Sequence, residues 1–218
     1  MKLEDAKQLI ADHMRRMYQN GMVNLFEGNI SMRLEDRYLI SPSQTNKETM
    51  TADMILEIDH DGNILNPECG KRPSTEYKMH LQVYDLCPAA NACVHNHSVY
   101  ASAFAAAGQP IISTGLAEVN ELFEYIPLVP YGRPGTPEIA AGFAQCMPEF
   151  GAVLLENHGL LTVGPTLGLA FALAEAAEKM AKIVYVARML GGEKSLPEEE
   201  QSALREIARK HKAAFLGK

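Results

Sequence analysis

Hydrophobic positions recur along the chain with two periods, and the switch between them marks out the elements. In residues 3–20, Leu3, Leu9, Ile10, Met14 and Met17 fall at helical spacing, the pattern of a helix with one buried stripe. Gly21 stands where such a helix should stop. Residues 24–66 instead carry short apolar runs, Ile30–Leu34, Tyr38–Ile40 and Ile55–Ile58. Turn signals separate them: Glu27-Gly28-Asn29, Ser41-Pro42-Ser43 and Asp61-Gly62-Asn63. This pattern predicts antiparallel strands and hairpins.

Helical and extended segments then alternate. Ser74–Leu86 predicts a helix with a Ser/Thr start, Ala92–His97 a short strand, and Ser98–Ala107 a helix of small residues. Thr136-Pro137 opens a further helix, with Thr as cap and Pro at the first helical position, running to about Met147. Ala152–Leu155 and Leu160–Val163 are apolar strands flanking Glu156-Asn157-His158-Gly159. Thr166–Leu190 predicts a long helix ended by Gly191-Gly192. Pro197–Leu216 predicts a last helix, readable as a lid or as a solvated surface element. The sum is a mixed, layered α/β fold with a central, largely antiparallel sheet flanked by helices. No internal repeat, low-complexity run or linker interrupts it, so residues 1–218 read as a single domain.

Composition narrows the function classes. Apolar residues make up 47% and charged residues 22%, the balance of a soluble globular protein. No run of eighteen apolar residues offers a membrane span, and the charge-alternating start, Met1 to Lys7, is no signal peptide. Cys69, Cys87, Cys93 and Cys146 contain no C-x-x-C pair and read as four reduced thiols in a cytoplasmic protein. The net charge of −7, without a Lys/Arg-rich block, argues against a nucleic-acid partner. An anionic small molecule would need a local pocket of donors.

Val94-His95-Asn96-His97 carries the most chemical information. Residues two apart on a strand point to one side, so His95 and His97 could hold one cation, and imidazole suits zinc, copper, iron or nickel. Alone, the pair reads equally as two unrelated histidines at a strand end. His158 follows an apolar strand and precedes Gly159, which would let the chain turn sharply there. Three histidines and an open position form the pattern of a catalytic zinc site. Glu76 is either a fourth ligand or a first-turn glutamate favoured by the helix dipole, and the residues alone favour the second reading. His80, four residues on, shares its helix face as a partner or as a packed histidine. His13, His60 and His211 receive no chemistry.

Three segments offer anion donors. Gly28-Asn29-Ile30-Ser31 supplies a flexible glycine, an amide and a hydroxyl, and Ser41-Pro42-Ser43-Gln44-Thr45 supplies hydroxyls. Ser74 and Thr75 stand at the predicted helix start, where free N–H groups and the dipole favour a phosphate. Each segment alone is also an ordinary turn or cap.

Taken in order, Gly28-Asn29-Ile30-Ser31, Pro73-Ser74-Thr75-Glu76, Val94-His95-Asn96-His97 and Asn157-His158-Gly159 resemble the class II aldolase/adducin family over about residues 5–190. That family contains sugar-phosphate aldolases and epimerases. The resemblance implies a homotetramer with active sites at subunit interfaces, acting on a small sugar phosphate. It makes His95, His97 and His158 ligands of Zn2+, or of another divalent transition metal. Glu76 becomes the fourth ligand and acid/base, displaced when substrate chelates the metal. Asn29, Ser43, Ser74 and Thr75, with Gly28, become the phosphate site. The implied reaction is cleavage of a ketose 1-phosphate to dihydroxyacetone phosphate and an aldehyde by a carbon–carbon lyase. Epimerases, dehydratases and decarboxylases of the same fold are alternatives, as is a non-catalytic adducin-like module, although the complete ligand set favours an enzyme. A zinc hydrolase stands further off, since neither H-E-x-x-H nor G-x-S-x-G occurs. The chain departs from the family twice. Gln44 stands where glycine is usual, and Ile111–Thr114 lacks the tyrosine that fuculose-phosphate aldolase carries there.

Overall fold

The computed structural model describes residues 1–140, 142–143 and 151–215. Its frame is a seven-stranded sheet: β1 (Asn29–Arg33), β2 (Tyr38–Ile40), β3 (Leu56–Ile58), β4 (Ala92–Asn96), β5 (Leu128–Val129), β6 (Ala152–Leu155) and β7 (Gly159–Gly164). The spatial order is β3-β2-β1-β4-β7-β6-β5. Every neighbouring pair is antiparallel except β5 with β6. The mixed, largely antiparallel architecture expected from the sequence is therefore observed.

Helices cover both faces. α1 (Leu3–Gln19), α3 (Val99–Ala106) and α5 (Leu167–Met189) bury their apolar stripes against Ile30, Val94, Leu154 and Leu160. α2 (Tyr77–Leu86) packs Met79, Val83 and Tyr84 against the other face, with Cys93, Val153, Leu161 and Val163. Side chains alternate across a strand, so β4 sends Val94 into the first core and Cys93 and His95 towards α2. At the sheet edge, Glu57 on β3 is buried between Lys7 Nζ (2.7 Å) and Arg37 Nη1 (2.5 Å).

Thr166 caps α5, its hydroxyl accepting from Leu169 N–H, as the predicted start requires. α4 (Ala117–Leu122) and β5 escaped the sequence reading because neither is long enough to show a period. α6 (Glu198–Phe215) packs along α4 and joins it through Arg205 to Asn120. The helix expected from Thr136 begins as a 3-10 turn, Pro137–Ala140. Most of its remaining course to Met147, with Cys146 and the last residues from 216 on, lies outside the described residues. Among those described, no helix is long and apolar enough to cross a membrane.

Candidate metal and anion site

The site forms where β1, β4 and the β6–β7 turn meet the start of α2. Asn29 on β1 is the register partner of His95 on β4, so both side chains project towards α2. His97 stands just beyond the strand, yet its Nε2 lies 3.0 Å from His95 Nε2. His158 closes the triangle, with ring centroids 4.7 Å from His95 and 4.9 Å from His97. The three residues bring one ligand atom each within 4.8 Å of the others. Two ring nitrogens facing each other at 3.0 Å are close to the edge of about 3.3 Å expected for a tetrahedron with metal–nitrogen bonds of about 2.0–2.1 Å.

Protonation suits a cation. Burial, then the neighbouring imidazoles, hold His95 well below the usual histidine range. Burial also lowers His97, against the Glu27 carboxylate, and brings His158 down to about 4. All three rings are thus neutral near pH 7, the form that binds metal. His95 Nδ1 donates to Leu160 O (3.0 Å), which leaves the Nε2 lone pair directed into the triangle.

Glu76 completes the cluster. It occupies the N-cap of α2, its Oε2 3.4 Å from His95 Nε2 and its Oε1 3.2 Å from His158 Nε2. Oε1 and His158 Nδ1 are nevertheless buried without a hydrogen-bond partner. An unsatisfied buried acceptor is costly, and a cation at the centre would satisfy it. The residues therefore fit a divalent metal. Burial raises the Glu76 pKa, while donation from Asn29 works against that rise.

Behind Glu76 runs a buried polar chain that sequence reading saw only in part. Asn29 Nδ2 donates to Glu76 Oε2 (2.8 Å), so the Asn29 oxygen faces His80 and accepts from its Nε2 (2.5 Å). His80 Nδ1 must then accept from Ser31 Oγ (2.6 Å), which in turn accepts from Tyr84 OH (2.7 Å). Every donor points towards the carboxylate, and such aligned chains are cooperative. Burial drops His80 to about 3, so it stays neutral and keeps this tautomer. Glu76, His80 and Tyr84 recur every four residues, a polar row on the sheet-facing side of α2 that the sequence did signal.

The anion segments also converge. Ser43 N–H donates to Arg72 O (2.9 Å) and Ser74 N–H to Ser41 O (3.2 Å), pairing the two loops. A cavity of about 210 Å³ beside the histidines is lined by Gly28, Asn29, Ser43, Ser74, Thr75 and the buried Lys47, among others. Lys47 was absent from the sequence reading, where Asn46-Lys47-Glu48 looks like a solvated turn.

Three expectations need correction. α2 begins at Tyr77, not Ser74, because Ser74 and Thr75 lie in a turn before it. Ser74 N–H is taken by Ser41 O, Glu76 N–H by Ser74 Oγ (3.3 Å) and Tyr77 N–H by Ser74 O (3.1 Å), so the helix start offers few free amides. Gly28 serves close packing rather than flexibility: at φ +68°, a Cβ would lie 2.5 Å from Val23 Cγ1 and 2.9 Å from His95 O. The turn before β7 is made by Asn157 at φ 56°, a conformation asparagine tolerates, and not by Gly159. A Cβ on Gly159 would meet Asn96 O at 2.6 Å and His97 Cδ2 at 3.0 Å, so its role is to let the turn press against the ligand strand.

Both departures from the family pattern have structural counterparts. Gln44 holds φ 47°, the left-handed conformation that glycine adopts without cost. In the segment lacking tyrosine, Ser113 Oγ donates to Glu193 Oε2 (2.5 Å) and Thr114 O accepts from Leu196 N–H (2.8 Å), tying it to the linker between α5 and α6.

Comparison with known proteins shows the family. Residues 8–185 match the family described as Class II Aldolase and Adducin N-terminal domain. An L-fuculose phosphate aldolase of Haemophilus influenzae is 34% identical over 83% of this chain and 82% of its own length. A 5-deoxy-D-ribulose 1-phosphate aldolase of Bacillus thuringiensis is 33% identical over 94% and 95%. A solved L-fuculose 1-phosphate aldolase superposes with a TM-score of 0.84 at 28% identity, covering 93% of this chain and 95% of that one. The chain belongs to the class II aldolase/adducin family. Its relatives include aldolases of more than one sugar phosphate.

Proposed function

We propose that this chain is a metal-dependent aldolase, a single class II aldolase-like domain that cleaves a ketose 1-phosphate into dihydroxyacetone phosphate and an aldehyde. One observation carries the reading: three neutral imidazoles and a buried carboxylate converge beside a cavity lined by hydroxyls and an amide. His95, His97, His158 and Glu76 would hold the cation, with zinc the best match to a three-histidine set. When bound, the metal supplies Lewis-acid polarisation of a carbonyl.

The chain's own residues do the rest. Gly28, Asn29, Ser43, Ser74 and Thr75 seat the phosphate and so fix the orientation of the carbon skeleton. Cleavage removes the proton of the C4 hydroxyl, breaks C3–C4 and leaves the electron pair on C3, which then takes a proton. Glu76 moves a proton in this sequence, and burial, by raising its pKa above the usual carboxylate value, makes it the more ready proton acceptor. The cavity lies next to the histidines, so phosphate and reacting carbons can be held at once. A cytoplasmic homotetramer with sites at subunit interfaces belongs to the same proposal. Phe26, exposed at the cavity, supports an apolar contact at the site.

The test is metal analysis of the purified protein joined to an assay for dihydroxyacetone phosphate released from a ketose-phosphate panel. His95→Ala and His158→Ala should lose metal and turnover together, and Glu76→Gln should keep much of the metal and lose most turnover. Full activity in a metal-free variant overturns the reading. A product with the carbon count of its substrate would instead mark an epimerase or, if water has been lost, a dehydratase.

A further inference from the structure

Lys47 lies in the loop after β2, and only 1% of it is exposed. Its backbone N–H donates to Leu25 O (3.2 Å) and its Nζ to Pro42 O (3.2 Å). An ammonium carries three donors, so two remain. No carboxylate among the described residues pairs with it, and burial alone draws it down to about 8. A buried cation without a counter-charge costs several kcal/mol, and few folds keep one without a use.

Its surroundings suggest the use. Lys47 lines the same cavity as Ser43, Ser74 and Thr75. The amides before α2 are largely committed to Ser41 and Ser74, so backbone N–H groups cannot supply much charge to an anion there. His97 and His158, also in the lining, are neutral near pH 7. Glu27 stands 3.8 Å from His97 Nδ1 and is partly exposed, while Glu76 faces the histidines. Lys47 is therefore the one full positive charge among the described residues of the lining.

We propose that Lys47 is the counter-charge for the phosphate monoester held in this cavity, and thereby the residue that selects a phosphorylated sugar over its unphosphorylated counterpart. The inference rests on the proposed sugar-phosphate reading. Pro42 O and Leu25 O hold Lys47 in its buried place in the cavity lining before ligand arrives, and a hydrogen bond from a charged donor is the stronger kind.

The closing experiment measures inorganic phosphate binding by calorimetry on the metal-stripped, full-length protein, comparing the unmodified chain with Lys47→Met and Lys47→Arg. Phosphate should bind the unmodified protein, bind Lys47→Met at least about tenfold more weakly, and bind Lys47→Arg in between. In the loaded enzyme, Lys47→Met should raise KM for a ketose phosphate by a similar factor with a smaller change in kcat, the mark of lost uniform binding. If the unmodified protein binds no phosphate, the phosphate reading of the cavity falls. If it binds phosphate and Lys47→Met binds equally well, that reading stands and the role of Lys47 falls. Should Lys47→Met fail to fold, lysine side-chain NMR of the unmodified protein decides: the Lys47 Nζ resonance must shift on adding phosphate, and an unmoved resonance at saturation overturns the proposal.

Discussion

Asn29 holds Glu76: its amide donates to Oε2 at 2.8 Å, and its own orientation is set by His80 at 2.5 Å from the amide oxygen. The carboxylate is thus aimed from inside the core. His80→Phe removes that link and leaves Asn29 Oδ1 and Ser31 Oγ short of partners. The expected result is a loss of about 10–100-fold in kcat, the usual effect of disturbing such supporting contacts. His80→Gln, which keeps a donor, should recover part of it. Steady-state kinetics with metal content measured on the same samples checks this, and an unchanged kcat in His80→Phe would show that Asn29 is held by other contacts.

Gly159→Ala places a methyl 2.6 Å from Asn96 O and 3.3 Å from His95 Cε1. Backbone must give way, at about 1–3 kcal/mol, and the shift falls on His95 and on His97 just beyond β4. Thermal unfolding should report the cost, and metal retention after dialysis should drop well beyond what the stability change alone explains.

Gln44 at φ 47° occupies a conformation that disfavours side chains by about 1–2 kcal/mol. Gln44→Gly relieves this but adds freedom to the unfolded chain, worth about 0.4–1 kcal/mol. The net expectation is a gain of up to about 1.5 kcal/mol in denaturant unfolding. Gln44→Val, β-branched, should lose at least about 1 kcal/mol.

Glu57 gives the fold an acid limit. Burial opposes its charge, but donors from Lys7 and Arg37 outweigh burial and hold its pKa below the usual value. A depressed carboxylate contributes stability that is complete above the unfolded value, about 4.3, and fades as pH falls through the folded value. Glu57→Gln should therefore flatten the acid limb of the stability–pH curve. It should also cost about 1–3 kcal/mol at pH 7, because the buried Lys7 is left with only the exposed Glu4 carboxylate at 3.7 Å. Unfolding midpoints from pH 3 to 7 provide the check.

Legibility in the sequence followed the length scale of each signal. His95 and His97 could be paired because two residues is the period of a strand, and the Glu76–His80 face because four residues is close to a helical turn. The strands Tyr38–Ile40 and Ala152–Leu155 were read to the residue, since turn residues bound them sharply. β5 has two residues and owes its existence to β6 beside it, so nothing local announces it. Lys47 was illegible for a related reason: only the pairing of the Ser43 and Ser74 loops makes a cavity for it to line. The role of Gly159 depended on how closely β4 approaches, a distance no local pattern encodes.

The register of β1 against β4 has a wider consequence. Asn29 lies opposite His95, Ile30 opposite Val94 and Ser31 opposite Cys93. A slip of one residue reverses every side chain of a strand. It would aim Ile30 at Glu76 and push Asn29 and Ser31 into the apolar layer beneath α1 and α5. The same misalignment that dismantles the reactive centre would also bury two polar side chains among hydrocarbons. Proofreading of the catalytic geometry is in this way delegated to the hydrophobic interior: a chain that mis-threads here loses stability together with its reactive centre.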